Sequence, residues 1–223
     1  MTRLTLIIVV VSYLLGSVPF GYLLVRVFRG QDVRQTGSGN IGATNVARTG
    51  SKGLAIVTLL LDALKGYAAV KFAFWLAGSG RFESGVQAGS YGPVSQVIGS
   101  HTIFLLAALA AFCAILGHMF TVWLGFKGGK GVATAVGAFA ALAPRAIVVA
   151  LVLFIIVVAL TRYISLGSMV AAAAFPLLVL WFNPAERTTA PILLLIAASS
   201  LLIIVRHKDN IGRLMVGTEH RWR

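Results

Sequence analysis

Three short polar segments interrupt an otherwise apolar chain, and all three are built from residues that hold anions. The first is TGSGNIGATNVAR, residues 36–48. Glycines at 37, 39 and 42 let successive backbone N–H groups converge on one point, a nest for a phosphate oxygen. Ser38, Asn40, Thr44 and Asn45 add neutral donors. Arg48 adds a planar guanidinium suited to bidentate phosphate binding. Gly37 to Gly42 also matches G-x-G-x-x-G, but no βαβ pattern surrounds it, so a dinucleotide fold is not implied. The alternative is a linker whose Gly and Asn only make turns; so many donors beside an Arg favour an anion site.

The second segment is GFKGGKG, residues 125–131, followed by Val132, Ala133 and Thr134. Lys127 and Lys130 sit among Gly128, Gly129 and Gly131 at the mouth of a helix, whose N-terminus adds partial positive charge. It is not a Walker A loop: position 124 is Leu rather than Gly, and Gly131 stands where Ser or Thr is required. The alternative is a tight turn with two lysines on lipid headgroups. His118 lies just upstream, either as a structural hydrogen-bonder or with a direct role.

The third segment is RHKDNIGRLMVGTEH, residues 206–220. On a helix, His207, Asn210 and Arg213 share a face at intervals of three, with Arg206 before them and Glu219 after. The alternative is a basic tail drawn to anionic lipid, which does not need His, Asn and Glu at helical spacing. Asp62 and Lys65, three apart within an apolar run, read as an intramembrane pair that meets either each other or a ligand. Cys113, the only cysteine, reads as packing. No metal and no cofactor is expected.

These segments need a scaffold, and composition says what kind. Hydrophobic residues make up 58% of the 223, and charged ones only 11%, against about 25% in soluble domains. One soluble core cannot hide that much apolar surface, so lipid is the solvent. A single domain, 1–223, is expected. The net charge of +13 would suggest nucleic acid in a soluble protein. Here the basic residues lie between apolar runs, which points to membrane orientation and anionic ligands, with no nucleic acid partner.

A spanning helix needs about 20 apolar residues. Seven candidates follow: Leu4–Phe28, Lys52–Ala77, Val97–Leu124, Val132–Leu142, Ile147–Leu160, Leu166–Phe182 and Pro191–Val205. The fourth and fifth are short, and alternatively form one hairpin broken at Ala143, Pro144 and Arg145. The first is too long for a signal peptide and lacks a clear cleavage site, so it reads as a retained helix, kinked at Pro19 beside Gly16 and Gly21. With seven spans, thirteen Lys/Arg fall on the side carrying the three polar segments. Four, at Arg3, Arg81, Arg145 and Arg187, fall on the other. The fold expected is therefore all-α and polytopic, with seven transmembrane helices, the N-terminus outside and the C-terminus cytosolic. The Gly- and Ser-rich stretch 78–100 reads as a flexible outer connection. No inverted repeat is visible, which weakens a secondary-transporter reading.

GSVPFG at 16–21, GSGNIGATNVAR at 37–48, GHMFTVWLGFKGGKG at 117–131 and RHKDNIGRLMVGTE at 206–219 together resemble the bacterial acyl-phosphate:glycerol-3-phosphate acyltransferase family, over nearly the whole chain and in order. The resemblance implies a multi-pass inner-membrane enzyme, active as a monomer with its site facing the cytosol. Its partners would be acyl phosphate, glycerol 3-phosphate and membrane lipid. It would move an acyl group from acyl phosphate to the 1-hydroxyl of sn-glycerol 3-phosphate, giving lysophosphatidate and phosphate. Ser38, Arg48, Lys127, His207 and Asn210 would then be catalytic. Phosphate binding would fall to Gly37, Gly39, Asn40, Gly42 and Asn45, to Gly128, Gly129, Lys130, Gly131 and Thr134, and to Arg206 and Arg213. His118, Glu219, Asp62 and Lys65 would support them. The His-x-x-x-x-Asp pair of soluble acyltransferases is absent, so the general base is either His207 or a substrate phosphate oxygen. The rival classes are an organophosphate transporter and a non-catalytic lipid-binding protein.

Overall fold

A computed structural model of the chain describes residues 3–79, 99–185 and 188–222. Every regular element among them is helical. The chain forms two compact units, Met1–Leu142 and Ala143–Arg223.

The first unit opens with α1 (Arg3–Ser17) and α2 (Phe20–Arg29), one apolar stretch interrupted at Pro19. Proline has no N–H and disfavours helical φ/ψ in the residue before it, so the helix stops at Ser17 and restarts at Phe20. The break releases two carbonyls inside the unit. Ser17 O accepts from Thr121 Oγ1 at 2.5 Å, and Val18 O accepts from Lys65 Nζ at 2.7 Å. Gly30, at φ +65°, terminates α2. After a short helix α3 (Ala43–Arg48), Ser51 Oγ caps α4 (Lys52–Gly78) by accepting from Leu54 N–H. Then come α5 (Ser100–Met119) and α6 (Val132–Leu142). α1 packs on α5, and α4 on α5 and α6. Gly66 of α4 faces the Thr134 carbonyl, and Gly137 of α6 faces the Ala63 carbonyl, so neither position has room for a Cβ. Small residues of this kind let membrane helices touch through their backbones.

The second unit comprises α7 (Pro144–Thr161), α8 (Ile164–Phe182), α9 (Ala190–Val205) and α10 (Lys208–Met215). α8 packs on both α7 and α9. The fifth expected span starts earlier than predicted. Pro144 lies in the first turn of α7, where its missing N–H has no intrahelical acceptor to lose.

Both units carry large apolar side chains on their outsides and bury several polar ones among the apolar residues of their interiors. Leu60, Leu64, Ile155, Leu177 and Leu194 are exposed, while Ser12, Thr58, Asp62, Lys65, His118 and Ser199 are buried. Apolar surface this extensive belongs against lipid. Five helical stretches are long and apolar enough to cross a membrane: Arg3–Arg29, Lys52–Gly78, His101–Leu124, Pro144–Thr161 and Ile164–Phe182. α9 joins them when counted with α10, from which it is bent by 51°. The fourth expected span, α6, has 11 residues and so rises about 16 Å, half of the roughly 30 Å hydrocarbon core. The outer connection 78–100 lies almost wholly outside the described residues, as do Arg81, Arg187 and Arg223.

Candidate active site

The first polar segment folds around Asn45, which is buried although its neighbours Ser38 and Arg48 are exposed. Asn45 Nδ2 faces the carbonyls of Val33, Thr36 and Asn40 at 2.9, 3.0 and 2.8 Å. Its Oδ1 accepts the Ser38 N–H at 2.8 Å. Gly39 N–H bonds Thr36 O, and Gly42 N–H bonds Asn40 Oδ1. The Ser38, Gly39 and Gly42 N–H groups, expected to converge on an anion, are therefore bonded within the loop, and the Asn45 amide is saturated by it. Backbone self-satisfaction wins because the loop is folded tightly against α2 and α4 and has to pair its own polar groups. Gly37 sits at φ +53° with Asn45 Oδ1 and Arg48 Cδ against it, so the Arg48 stem runs across the glycine. The Ser38 hydroxyl and the Arg48 guanidinium face outward.

The second segment is likewise turned inward by its backbone. α5 ends at Met119 with carbonyls to satisfy. Gly128 N–H donates to Met119 O and Gly129 N–H to His118 O, each at 3.0 Å. The Gly128 and Gly129 amides expected to hold phosphate thus close α5 instead. The glycines are needed for approach: a Cβ on Gly128 would strike the His118 carbonyl, and one on Gly129 the His118 ring. Lys127 is exposed and Lys130 half-buried. The first amides of α6 have no intrahelical acceptor, which leaves an anion-binding helix end. Thr134, in that first turn, is fully buried.

The two segments stand on one apolar floor. Val25, Val33, Ile41, Val46 and Ala55 form it, and Leu124 of the second segment packs there beside Tyr22 and Leu54. Beneath the second segment Asp62 and Lys65 form a buried ion pair at 2.8 Å, and His118 Nδ1 lies 3.6 Å from the same carboxylate oxygen. Elsewhere in the unit Asp32 pairs with Arg34, whose guanidinium holds the Asp32 carboxyl below its ordinary range. Among the described residues, no carboxylate lies within 4 Å of Arg48 or Lys127.

In the second unit, Glu219 gathers the third segment. Its Oε1 accepts from Ser165 Oγ at 2.7 Å and Asn210 Nδ2 at 2.6 Å, and its Oε2 from Arg213 Nε at 2.7 Å. Burial by itself raises the Glu219 pKa; these three bonds outweigh it and hold the carboxyl below its ordinary value. His207 is buried, with Nδ1 2.7 Å from the Ile203 carbonyl. A carbonyl only accepts, so Nδ1 carries the hydrogen and Nε2 of the neutral ring is the basic nitrogen. Arg206 is half-buried.

A glycerol-3-phosphate acyltransferase family model matches residues 6–217. The chain belongs to the glycerol-3-phosphate acyltransferase family. The glycerol-3-phosphate acyltransferase of Geobacter sulfurreducens is 46% identical, covering 98% of this chain and 97% of its own. That of Rhodopseudomonas palustris is also 46% identical, covering 95% and 93%. The fold is similar to the crystal structure of PlsY (YgiH), an integral membrane glycerol 3-phosphate acyltransferase, in its glycerol 3-phosphate form. The TM-score there is 0.79 at 33% identity, over 98% of this chain and 96% of that one. The lysophosphatidic acid form of PlsY matches with a TM-score of 0.76 at 32% identity. The chain is accordingly an all-helical, multi-pass member of this membrane acyltransferase family.

Several groups around the candidate site carry no signal in the sequence. Ser165 opens an apolar run with nothing to mark it as the third donor to Glu219. The Val18 carbonyl becomes an acceptor only because Pro19 breaks the helix. His118 and Asp62 are 56 residues apart in sequence, and no spacing rule connects them.

Proposed function

We propose that the protein transfers an acyl group from acyl phosphate to the 1-hydroxyl of sn-glycerol 3-phosphate, giving lysophosphatidate and inorganic phosphate in the first acylation of phospholipid synthesis. The observation that carries this reading is the pair of outward cations, Arg48 and Lys127, that no carboxylate neutralises, on loops sharing one floor in a member of this family. Both substrates carry phosphate, and the donor's acyl tail belongs in lipid.

The hydroxyl oxygen attacks the acyl carbonyl carbon, and the bond from that carbon to the phosphate oxygen breaks. A trianionic phosphate is a very strong base, so the hydroxyl proton ends on the departing phosphate. His207 Nε2 carries it there, or the phosphate oxygen takes it directly. The anhydride is already activated, so positioning and charge neutralisation supply much of the acceleration. Lys127, Lys130 and the α6 N-terminus hold one phosphate. Ser38 and Arg48 hold the other and orient the carbonyl, on a loop shaped by Asn45. His207 and Asn210 serve glycerol 3-phosphate or its hydroxyl, with Glu219 fixing the tail. The chain works as one domain and as a monomer. It crosses the inner membrane seven times, with the N-terminus outside and the polar loops in the cytosol.

The test is phosphate release by purified protein in lipidic medium from palmitoyl phosphate. Release that depends on glycerol 3-phosphate is expected; its absence sinks the enzyme reading and leaves the transporter or lipid-binding class. His207→Ala at saturating substrate is expected to lower turnover at least tenfold if Nε2 is the base. Turnover near wild type assigns the proton transfer to the phosphate oxygen.

A further inference from the structure

We infer that the buried Asp62–Lys65–His118 cluster is a positioning device that ties the proline break of the first span to the second glycine loop. The inference rests on the reading that this loop holds a substrate phosphate. The connection is continuous. Pro19 ends α1 and exposes the Val18 carbonyl, to which Lys65 Nζ donates at 2.7 Å. The same ammonium sits 2.8 Å from Asp62 Oδ1 and lies over the Phe20 ring, the first residue after the break. Asp62 Oδ1 faces His118 Nδ1 at 3.6 Å. The other edge of that imidazole lies where a Gly129 Cβ would be, and the His118 carbonyl takes the Gly129 N–H. His118 therefore meets Gly129 with both its ring and its backbone, while the Asp62 carboxylate, paired with Lys65, faces the ring's other side. All three side chains are buried, with 5% exposure or less.

A buried ion pair is a poor source of stability compared with well-packed apolar residues of the same volume. Stability alone therefore does not account for charge at this place, whereas control of the loop's position does. Lys127 and Lys130 flank the glycines that His118 supports, so a shift of the ring moves both ammonium groups.

The apolar double variant Asp62→Leu/Lys65→Met removes both charges together and leaves neither one unpaired, so it is expected to fold. Two readouts are taken in the same detergent preparation. The first is amide hydrogen exchange over residues 120–134. Exchange at least tenfold faster than wild type is expected there, with residues 190–205 unchanged. The second is steady-state kinetics. The KM for one phosphate substrate is expected to rise at least tenfold, with kcat within about threefold of wild type. Unaltered exchange in the loop overturns the coupling, whether or not the protein turns over. Faster exchange with both KM values unaltered overturns the positioning role. Failure of wild type to release phosphate removes the acyltransferase reading, while the exchange result still judges the coupling. Should the double variant not fold, Gly129→Ala supplies the same test. It is expected to raise KM at least tenfold alone but less than twofold when added to His118→Asn, which vacates the space its Cβ needs. Equal effects in both backgrounds overturn the contact.

Discussion

Replacing Glu219 by Gln keeps the shape of the side chain and removes its charge, which isolates what the carboxylate does for the tail. One oxygen accepts from Ser165 and Asn210, the other from Arg213. A glutamine has one oxygen. If that oxygen faces Ser165 and Asn210, its NH2 opposes Arg213 Nε; if it faces Arg213, its NH2 opposes Asn210 Nδ2. Either way one donor meets a donor. Hydrogen bonds to charged groups contribute about 1.5–3 kcal/mol each, and the Arg213 bond falls toward the lower end because its side chain is 39% exposed. Local opening of the tail should become easier by about 2–4 kcal/mol. Hydrogen exchange or limited proteolysis over residues 214–222 measures it directly. The effect also has a pH signature. Glu219 is held below its ordinary pKa of 4.5, so its contribution is complete above that value and fades as pH falls through the lower folded value. The gap between wild type and Glu219→Gln should be constant from neutrality down to about pH 5 and should close in more acid solution. A gap below about 0.5 kcal/mol, or one that does not narrow in acid, would refute the clamp as described.

Asn45→Asp keeps the acceptor for the Ser38 N–H but sets an oxygen against three carbonyls. It is expected to destabilise the first loop by about 3 kcal/mol and to abolish phosphate release while membrane insertion persists. Gly37→Ala places a Cβ on Asn45 Oδ1 and the Arg48 stem at positive φ. It should lower kcat/KM more than tenfold, whereas Gly53→Ala, with open space around it, should be neutral. Thr121→Val preserves shape but leaves the Ser17 carbonyl without its donor, so thermal denaturation in detergent should show a loss of about 1–3 kcal/mol.

The fold was legible wherever apolar length or a punctuating residue set it. Pro19 marked the kink, and the apolar runs marked the helices. Pro144 marked the break between the fourth and fifth runs, and only the start of α7 lies earlier than expected, because proline is tolerated in a helix's first turn. The polar segments were legible as locations rather than as geometry. Glycine density and basic residues identified where anions belong, but not which way the amides turn. That choice depends on what else needs hydrogen bonds nearby: the end of α5 takes Gly128 and Gly129, and Asn45 takes the Ser38 N–H. The Asp62–Lys65 pair followed from helical spacing, whereas His118 joined it only through the packing of α4 against α5.

The shortness of α6 bears on where the two proposed substrates would meet. His118, from which the second loop departs, is level with Asp62, ten residues along α4 from Lys52 and hence about 15 Å below that helix end. The eleven residues of α6 start from this depth. On the proposed orientation, Gly128 and Gly129, bonded to Met119 and His118, would lie within the membrane's thickness. Lifting a fatty chain out of hydrocarbon by four methylenes costs about 3 kcal/mol, an encounter penalty of more than about a hundredfold. On the proposed reading, a recessed cradle would avoid that penalty by lowering the water-soluble alcohol and its phosphate to the lipid's own level, so that the amphiphilic donor would react without leaving its leaflet.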